Sequence, residues 1–263
     1  MSTHAPSTAT PTIQIQPLQL TIHSGTAMLV TDREGWVRGE RTGLFDHDTR
    51  YLSTYGMSID EFTPEFLTAE RPVFNGAVLS YTNRAFRAGP TIVDRLALFL
   101  QVTRVLDAGL HECVEITSFA CSPIRFRFLV NLECSFDTMF EVRDLRPTPP
   151  RVVRTRYDAN ARALFGSYRD GWFNRCLEYR IISTDSQPRY SPSLLIFPVR
   201  LEHNQTWRLE TDIRMTGHPL GRFATSEVGS PAGAGLTGLT PSPPLHWKWR
   251  GGTRSVALCA AVT

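Results

Sequence analysis

The chain has 263 residues, 41% of them hydrophobic and 20% charged, a balance that excludes disorder for most of it. Its 28 basic and 25 acidic residues leave a formal charge of +3, too weak for a nucleic-acid binder that works through a clustered basic face. No uninterrupted apolar stretch approaches the ~18–20 residues that span a bilayer, so neither nucleic acid nor membrane is an expected partner.

Residues 1–12 are rich in Ser, Thr and Pro and lack an apolar core, which reads as a disordered lead and not as a secretory signal. From there the periodicity is two nearly everywhere. Ile13, Ile15, Leu18, Leu20 and Ile22 are spaced as one face of a strand broken at Pro17. A second apolar run, 27–31, meets the turn Asp32-Arg33-Glu34-Gly35 and then Trp36 and Val37, which predicts a hairpin. The run 96–106 breaks at Asp107-Ala108-Gly109 and resumes over 111–119, a long hairpin with turn chemistry in place. Ile124, Phe126, Phe128, Val130 and Leu132 alternate with mostly polar residues, the pattern of a half-buried strand.

Further strands are predicted at 152–157, 163–168, 173–182, 194–202 and 207–215, with turn residues at 158–160 and 169–171. Trp207, Leu209, Thr211 and Ile213 alternate with Arg208, Glu210, Asp212 and Arg214, so Trp207 is expected in the core. No amphipathic helix of twelve residues stands out. Regularly spaced strands with few or no helices predict an all-β fold, a large antiparallel β-sandwich over residues 13–225. Residues 226–263 begin with a Gly/Pro/Ser-rich linker and end in a short tail.

Five cysteines, Cys113, Cys121, Cys134, Cys176 and Cys259, show no Cys-x-x-Cys pair. That argues against zinc and a disulfide framework and fits a reducing cytoplasm. No cofactor or metal is expected, and no nucleophile elbow or phosphate-cradling loop occurs. His47 and His203 stand alone and read as surface or packing residues. Glycoside hydrolysis needs two carboxyl groups across the scissile bond. Asp46 and Asp48 share a face if their segment is extended, and Glu141 and Asp144 bracket Arg143. For both sets a structural salt bridge is the stronger reading.

The densest polar constellation is Gly43-Leu-Phe-Asp-His-Asp-Thr-Arg-Tyr-Leu-Ser53, in which Asp48 and Arg50 are spaced to pair on one strand face. It resembles the signature of the N-terminal domain of bacterial glycogen-debranching-type (amylo-α-1,6-glucosidase-like) proteins, roughly Gly-Leu-Phe-x-x-Asp-Thr-Arg-Tyr-Leu-Ser. Three other stretches resemble that family in the same order: 27–39, Arg104-Val-Leu-Asp-Ala-Gly-Leu-His-Glu112 and Phe136-Asp-Thr-Met-Phe-Glu-Val-Arg143. The likeness covers residues 18–215.

The resemblance implies a sandwich of the supersandwich type packed on a C-terminal (α/α)-toroid that carries the catalytic acid and base. The toroid is not in this sequence, and residues 251–263 do not resemble the family's continuation. The expectation is a non-catalytic support domain from a truncated, frame-shifted or split protein, partnered by a toroid domain or chain. It predicts an exposed apolar patch where the toroid sits. The alternative is a free-standing module for glycogen or another α-glucan, with Trp36, Trp172 or Trp207 as an open platform. A third reading makes Asp46, Asp48 or Glu141 catalytic; otherwise no residue of this chain is expected to be so. The binding or structural signature then comprises Asp46, Asp48, Thr49, Arg50, Tyr51, Glu141, Arg143, Trp36 and Trp172.

Overall fold

A computed structural model describes residues 18–89, 91–144, 151–171 and 173–217. The chain opens with the hairpin β1 (Gln19–Ser24) and β2 (Ala27–Asp32), then β3 (Gly43–Asp46) and β4 (Thr49–Ile59). β5 (Glu65–Val73) and β6 (Gly76–Thr82) form another hairpin, and β7 (Phe86–Ala88) and β8 (Thr91–Val93) a small ribbon. The long hairpin β9 (Leu98–Leu106) and β10 (Leu110–Ser118) turns at residues 107–109 as expected. β11 (Ile124–Thr138) runs directly into the helix α1 (Met139–Asp144). β12 (Arg154–Asp158), β13 (Ala163–Asp170) and β14 (Phe173–Thr184) follow. β15 (Arg189–Ser191), β16 (Leu194–Leu201) and β17 (Thr206–Gly217) complete the described chain.

Two antiparallel sheets face each other. The seven-stranded sheet has the order β1-β2-β3-β4-β11-β16-β15, and the eight-stranded sheet β12-β13-β14-β17-β10-β9-β6-β5. The alternation of β11 is the clearest case of cause and effect. Ile124, Phe126, Phe128, Val130 and Leu132 are buried while Arg125, Arg127 and Asn131 are exposed. Across the interface Phe128 and Phe197 of one sheet meet Trp207 of the other, with ring centroids 5.3 and 5.7 Å apart. Trp207 is thus core, as its strand pattern predicts. The all-β sandwich is therefore observed, with one six-residue helix among the described residues.

A fully buried salt bridge lies inside the sandwich. Arg104 and Glu112 stand opposite each other in the β9–β10 register, and Arg104 Nε donates to Glu112 Oε2 at 2.6 Å. Tyr55, from the facing sheet, donates to Glu112 Oε1 at 2.5 Å. Arg104 Nη1 donates to the Gly35 carbonyl. Burial, then the Glu112 charge, pushes the Tyr55 phenol well above its usual range, so it remains a donor. The cluster joins β4, β9, β10 and the loop after β2.

One expectation changes. The run 27–31 forms no hairpin with Trp36 and Val37. It pairs with β1 and β3, while Val37 makes a bridge to Tyr55 of β4. The reason is the Asp32 carboxylate, which accepts the backbone N–H of Glu34 and of Trp36, both at 2.9 Å, and closes a tight local loop. Among the described residues the first strand spans Gln19–Ser24; the predicted lead 1–12, residues 13–17, and the linker and tail 226–263 lie outside the described residues.

Candidate functional site

The constellation 43–53 is the β3–β4 hairpin at one end of the sandwich. Its turn is His47 and Asp48, with His47 in the left-handed region at φ +53°. Asp46 accepts the Thr26 hydroxyl at 2.8 Å and lies 3.1 Å from His47 Nδ1. Asp48 is exposed, and its backbone carbonyl accepts the N–H of Met139, the first residue of α1, at 2.7 Å. Leu44, Phe45, Tyr51 and Leu52 are buried.

Arg50 does not pair with Asp48. It lies across the sheet to β11, where it donates to Ser135 Oγ at 3.1 Å and to Asp137. It also donates to the Glu40 carbonyl at 2.9 Å. Gly43 makes room for it. A Cβ there would fall 2.8 Å from Arg50 Cδ and 2.8 Å from the Leu52 carbonyl oxygen.

The partner strand is reshaped to meet Arg50. Register shifts flank Cys134: β4 carries an extra residue before it and β11 one after it. Within the second bulge Phe136 sits in the left-handed region at φ +57° and is fully buried. A bulky residue rarely adopts that conformation, at a cost of about 1–2 kcal/mol. The bulge re-aims the strand, and Ser135 and Asp137 both reach Arg50.

Asp137 then hands the chain of charges on. Arg151 Nη1 donates to its second oxygen at 2.7 Å, and Arg151 Nη2 forks onto both oxygens of Glu141 at 3.0 and 2.9 Å. Glu141 also closes a capping box at the start of α1. Its carboxylate accepts the Thr138 N–H at 2.6 Å, and its own N–H donates to Thr138 Oγ1 at 3.3 Å. Burial pushes Asp137 up, but Ser135, Arg50 and Arg151 together hold it below the ordinary carboxylate value. Glu141 is likewise pushed up by burial and pulled lower by the Thr138 backbone and Arg151.

An aromatic stack lies beneath the charges. Tyr51 meets Phe136 edge-on at 5.6 Å, Phe136 stacks on Tyr168 at 6.3 Å, and Tyr168 meets Phe173 edge-on at 5.8 Å. Arg151 lies over Tyr168 and Arg175 over Phe173, at 5.7 and 4.3 Å. Arg175 Nε also donates to buried Thr49 Oγ1 at 3.4 Å. Burial, opposed by the Arg175 charge, pushes the Tyr51 phenol up to about 12. Beside Arg175 the last strand ends: Gly217 is opposite it in register, and a Cβ there would lie 2.4 Å from Arg175 Cδ.

Asp46, Asp48, Thr49, Arg50, Tyr51 and Glu141 thus gather at one end. Arg143 is exposed there, its guanidinium 5.4 Å above the ring of Phe140. Trp36 is elsewhere, buried and stacked on Tyr81 at 4.8 Å. With Trp207 also buried, neither ring can serve as the open platform considered for a sugar. Trp172 lies outside the described residues. Among the described residues no group of three or more His, Cys, Asp or Glu side chains could hold a metal ion.

Arg151, Arg175 and Ser135 are members that sequence reading missed. In a chain whose basic residues are nearly all arginine, neither arginine is distinctive, and Ser135 reaches the site only through the bulge of β11. The Thr138-x-x-Glu141 spacing was a usable capping signal.

The profile of one protein family, the N-terminal domain of (some) glycogen debranching enzymes, matches residues 22–212. No curated protein matches the chain. Solved structures similar to it include the heparan sulfate lyase HepC of Pedobacter heparinus, at 12% identity and TM-score 0.35, and a mutant of it at 11% and 0.37. Each alignment covers 73% of this chain and 30% of the lyase. Another is a polysaccharide lyase at 10% identity and TM-score 0.35, covering 78% of this chain and 33% of that one. The chain spans about a third of the length of these structures.

Proposed function

Because the chain belongs to the family of N-terminal domains of some glycogen debranching enzymes, we propose that it is the non-catalytic support for an (α/α)-toroid glycosidase domain, carried on a neighbouring chain or further along its own. The activity it serves is amylo-α-1,6-glucosidase action in α-glucan metabolism, in a bacterial cytoplasm. Its free thiols Cys113, Cys121, Cys134 and Cys176 suit such a reducing compartment.

The observation that carries this reading is convergence at one end of the sandwich. The family's most specific motif is spent on internal ties there. Arg50, Asp137, Arg151 and Glu141 hold β4, β11, α1 and the approach to β12 to one another. Gly217, the last described residue, stands opposite Arg175 at the same end. Two apolar side chains stand open there, Phe140 at 64% and Val152 at 80% exposure. An end tied together internally and carrying exposed apolar groups suits a docked domain.

The test mixes the purified chain with a separately produced toroid domain from a debranching enzyme of this family, followed by calorimetry. Saturable binding that Phe140→Asp weakens about tenfold or more, or about 1.4 kcal/mol, supports the docking end. Phe140 is exposed, so the substitution leaves the fold intact. Binding indifferent to Phe140→Asp and Val152→Asp together would place the interface elsewhere and overturn the reading.

A further inference from the structure

The opposite end of the same strands has a different character. β4 is eleven residues long, so at ~3.3 Å per residue its Ile59 end lies about 33 Å from Thr49. There the turn after β4, the β7–β8 ribbon and the ends of β11 and β16 enclose an open cleft of about 700 Å³. That volume is within the ~300–1,000 Å³ of small-molecule sites. Five arginines, Arg84, Arg87, Arg125, Arg127 and Arg200, line it against two carboxylates, Asp60 and Glu61.

The ion pairs do not cancel this charge. Arg127 is held by Asp60 at 3.0 Å, and Arg200 reaches Glu202, outside the cleft lining, at 3.0 Å. Arg84 lies over the ring of Phe62 at 5.1 Å. Among the described residues Arg87 and Arg125 have no side-chain partner. Arg125 and Arg200 also stand directly opposite each other in the β11–β16 register, both exposed on the outer face. Like charges so placed destabilise a sheet. An anion between them reverses the sign.

The floor is preformed. Phe62 and Phe86 pack at 5.0 Å, and Phe86 meets Phe126 edge-on at 6.5 Å. Buried Asn83 accepts the Leu98 N–H at 2.7 Å and donates to the carbonyls of Asp94 and Arg84 at 2.7 and 2.8 Å, which fixes the backbone that carries Arg84.

We propose that this cleft binds a phosphate-bearing small molecule. Guanidinium forks match phosphate oxygens two at a time, a dianion answers several arginines better than a monoanion, and the volume admits one small organic group beside the phosphate. The inference does not rest on the docking reading, since it concerns the other end of the sandwich.

The test is calorimetric titration of the full chain with inorganic phosphate, glucose 6-phosphate and glucose. Saturable binding of the phosphorylated sugar well above that of inorganic phosphate assigns the site to a phosphosugar, and equal binding assigns it to free phosphate. Either supports the proposal, provided R125E and R200E each weaken binding about tenfold or more. R125E places a carboxylate opposite Arg200, so the Tm of the free chain should hold or rise while binding falls. A merely structural arginine would lower both. Absence of saturation by either phosphate compound, including the case where only a long polyanion binds, overturns the proposal. So does affinity indifferent to both substitutions.

Discussion

Arg50 and Asp137 are joined across the β4–β11 pair at the one place where β11 takes an extra residue and Phe136 adopts a left-handed backbone. The strain and the ion pair belong together. The bulge lets Ser135 and Asp137 both reach the guanidinium, and the pair in turn holds the bulge. Gly43 belongs to the same arrangement, because no side chain fits where Arg50 lies. Arg50→Ala should therefore cost about 2–4 kcal/mol, near the value for breaking a largely buried pair. Gly43→Ala should cost about 1–3 kcal/mol through overpacking. Urea unfolding measures both. Losses under ~0.5 kcal/mol would mean that the network is ornamental to the fold.

Acid should loosen this end first. Asp137 and Glu141 have folded-state pKa values below their ordinary ones. Their contribution is present above the unfolded carboxylate pKa of about 4 and is lost as pH falls through the lowered folded values. Stability should fall below about pH 4, and Arg151→Ala should flatten that fall while lowering stability at neutral pH. The urea midpoint against pH for both proteins checks it. Equal slopes would mean that Arg151 does not hold the two carboxylates low.

The buried pair Arg104–Glu112 should be non-additive. Glu112→Leu alone strands a buried guanidinium and should cost about 3–5 kcal/mol. Adding Arg104→Met should recover much of that loss, because no charge then remains in the core. Additive losses in a double-mutant cycle would contradict the reading of this pair as mutually dependent.

Much of the sandwich was legible because period two is a local signal. Residues 124–132 alternate without a break, and residues 107–109 carry turn chemistry between two apolar runs. The strand at 65–73 was illegible because most of it is exposed at a sheet edge and carries no alternating apolar face. The motif at 43–53 could be found, but not its meaning. Arg50 pairs with a residue 87 positions away, through two compensating bulges that no spacing rule reveals. Spacing offered Asp48 instead, which the turn directs to solvent. The burial of Trp36 is hidden from the sequence for a related reason: the Asp32 loop that encloses it is made by hydrogen bonds and not by periodicity.

Thiol chemistry offers an independent check on the sheets. Burial pushes the Cys113 and Cys134 thiols up to about 12, while Cys121 is exposed. Alkylation of the native chain at about pH 8 should modify Cys121 well before either, because the thiolate is the reacting form. Mass spectrometry of digested samples reads the order. Early labelling of Cys134 would show that the Phe136 end opens readily.

On the proposed reading the motif at 43–53 builds a support and performs no hydrolysis. The most direct test incubates the purified chain with glycogen, maltooligosaccharides and isomaltooligosaccharides and measures glucose release, with tryptophan fluorescence followed in the same tubes. A support domain releases no glucose above the buffer rate, and Asp48→Asn and Glu141→Gln leave that rate unchanged. Release at enzyme-like rates that either substitution abolishes would contradict it.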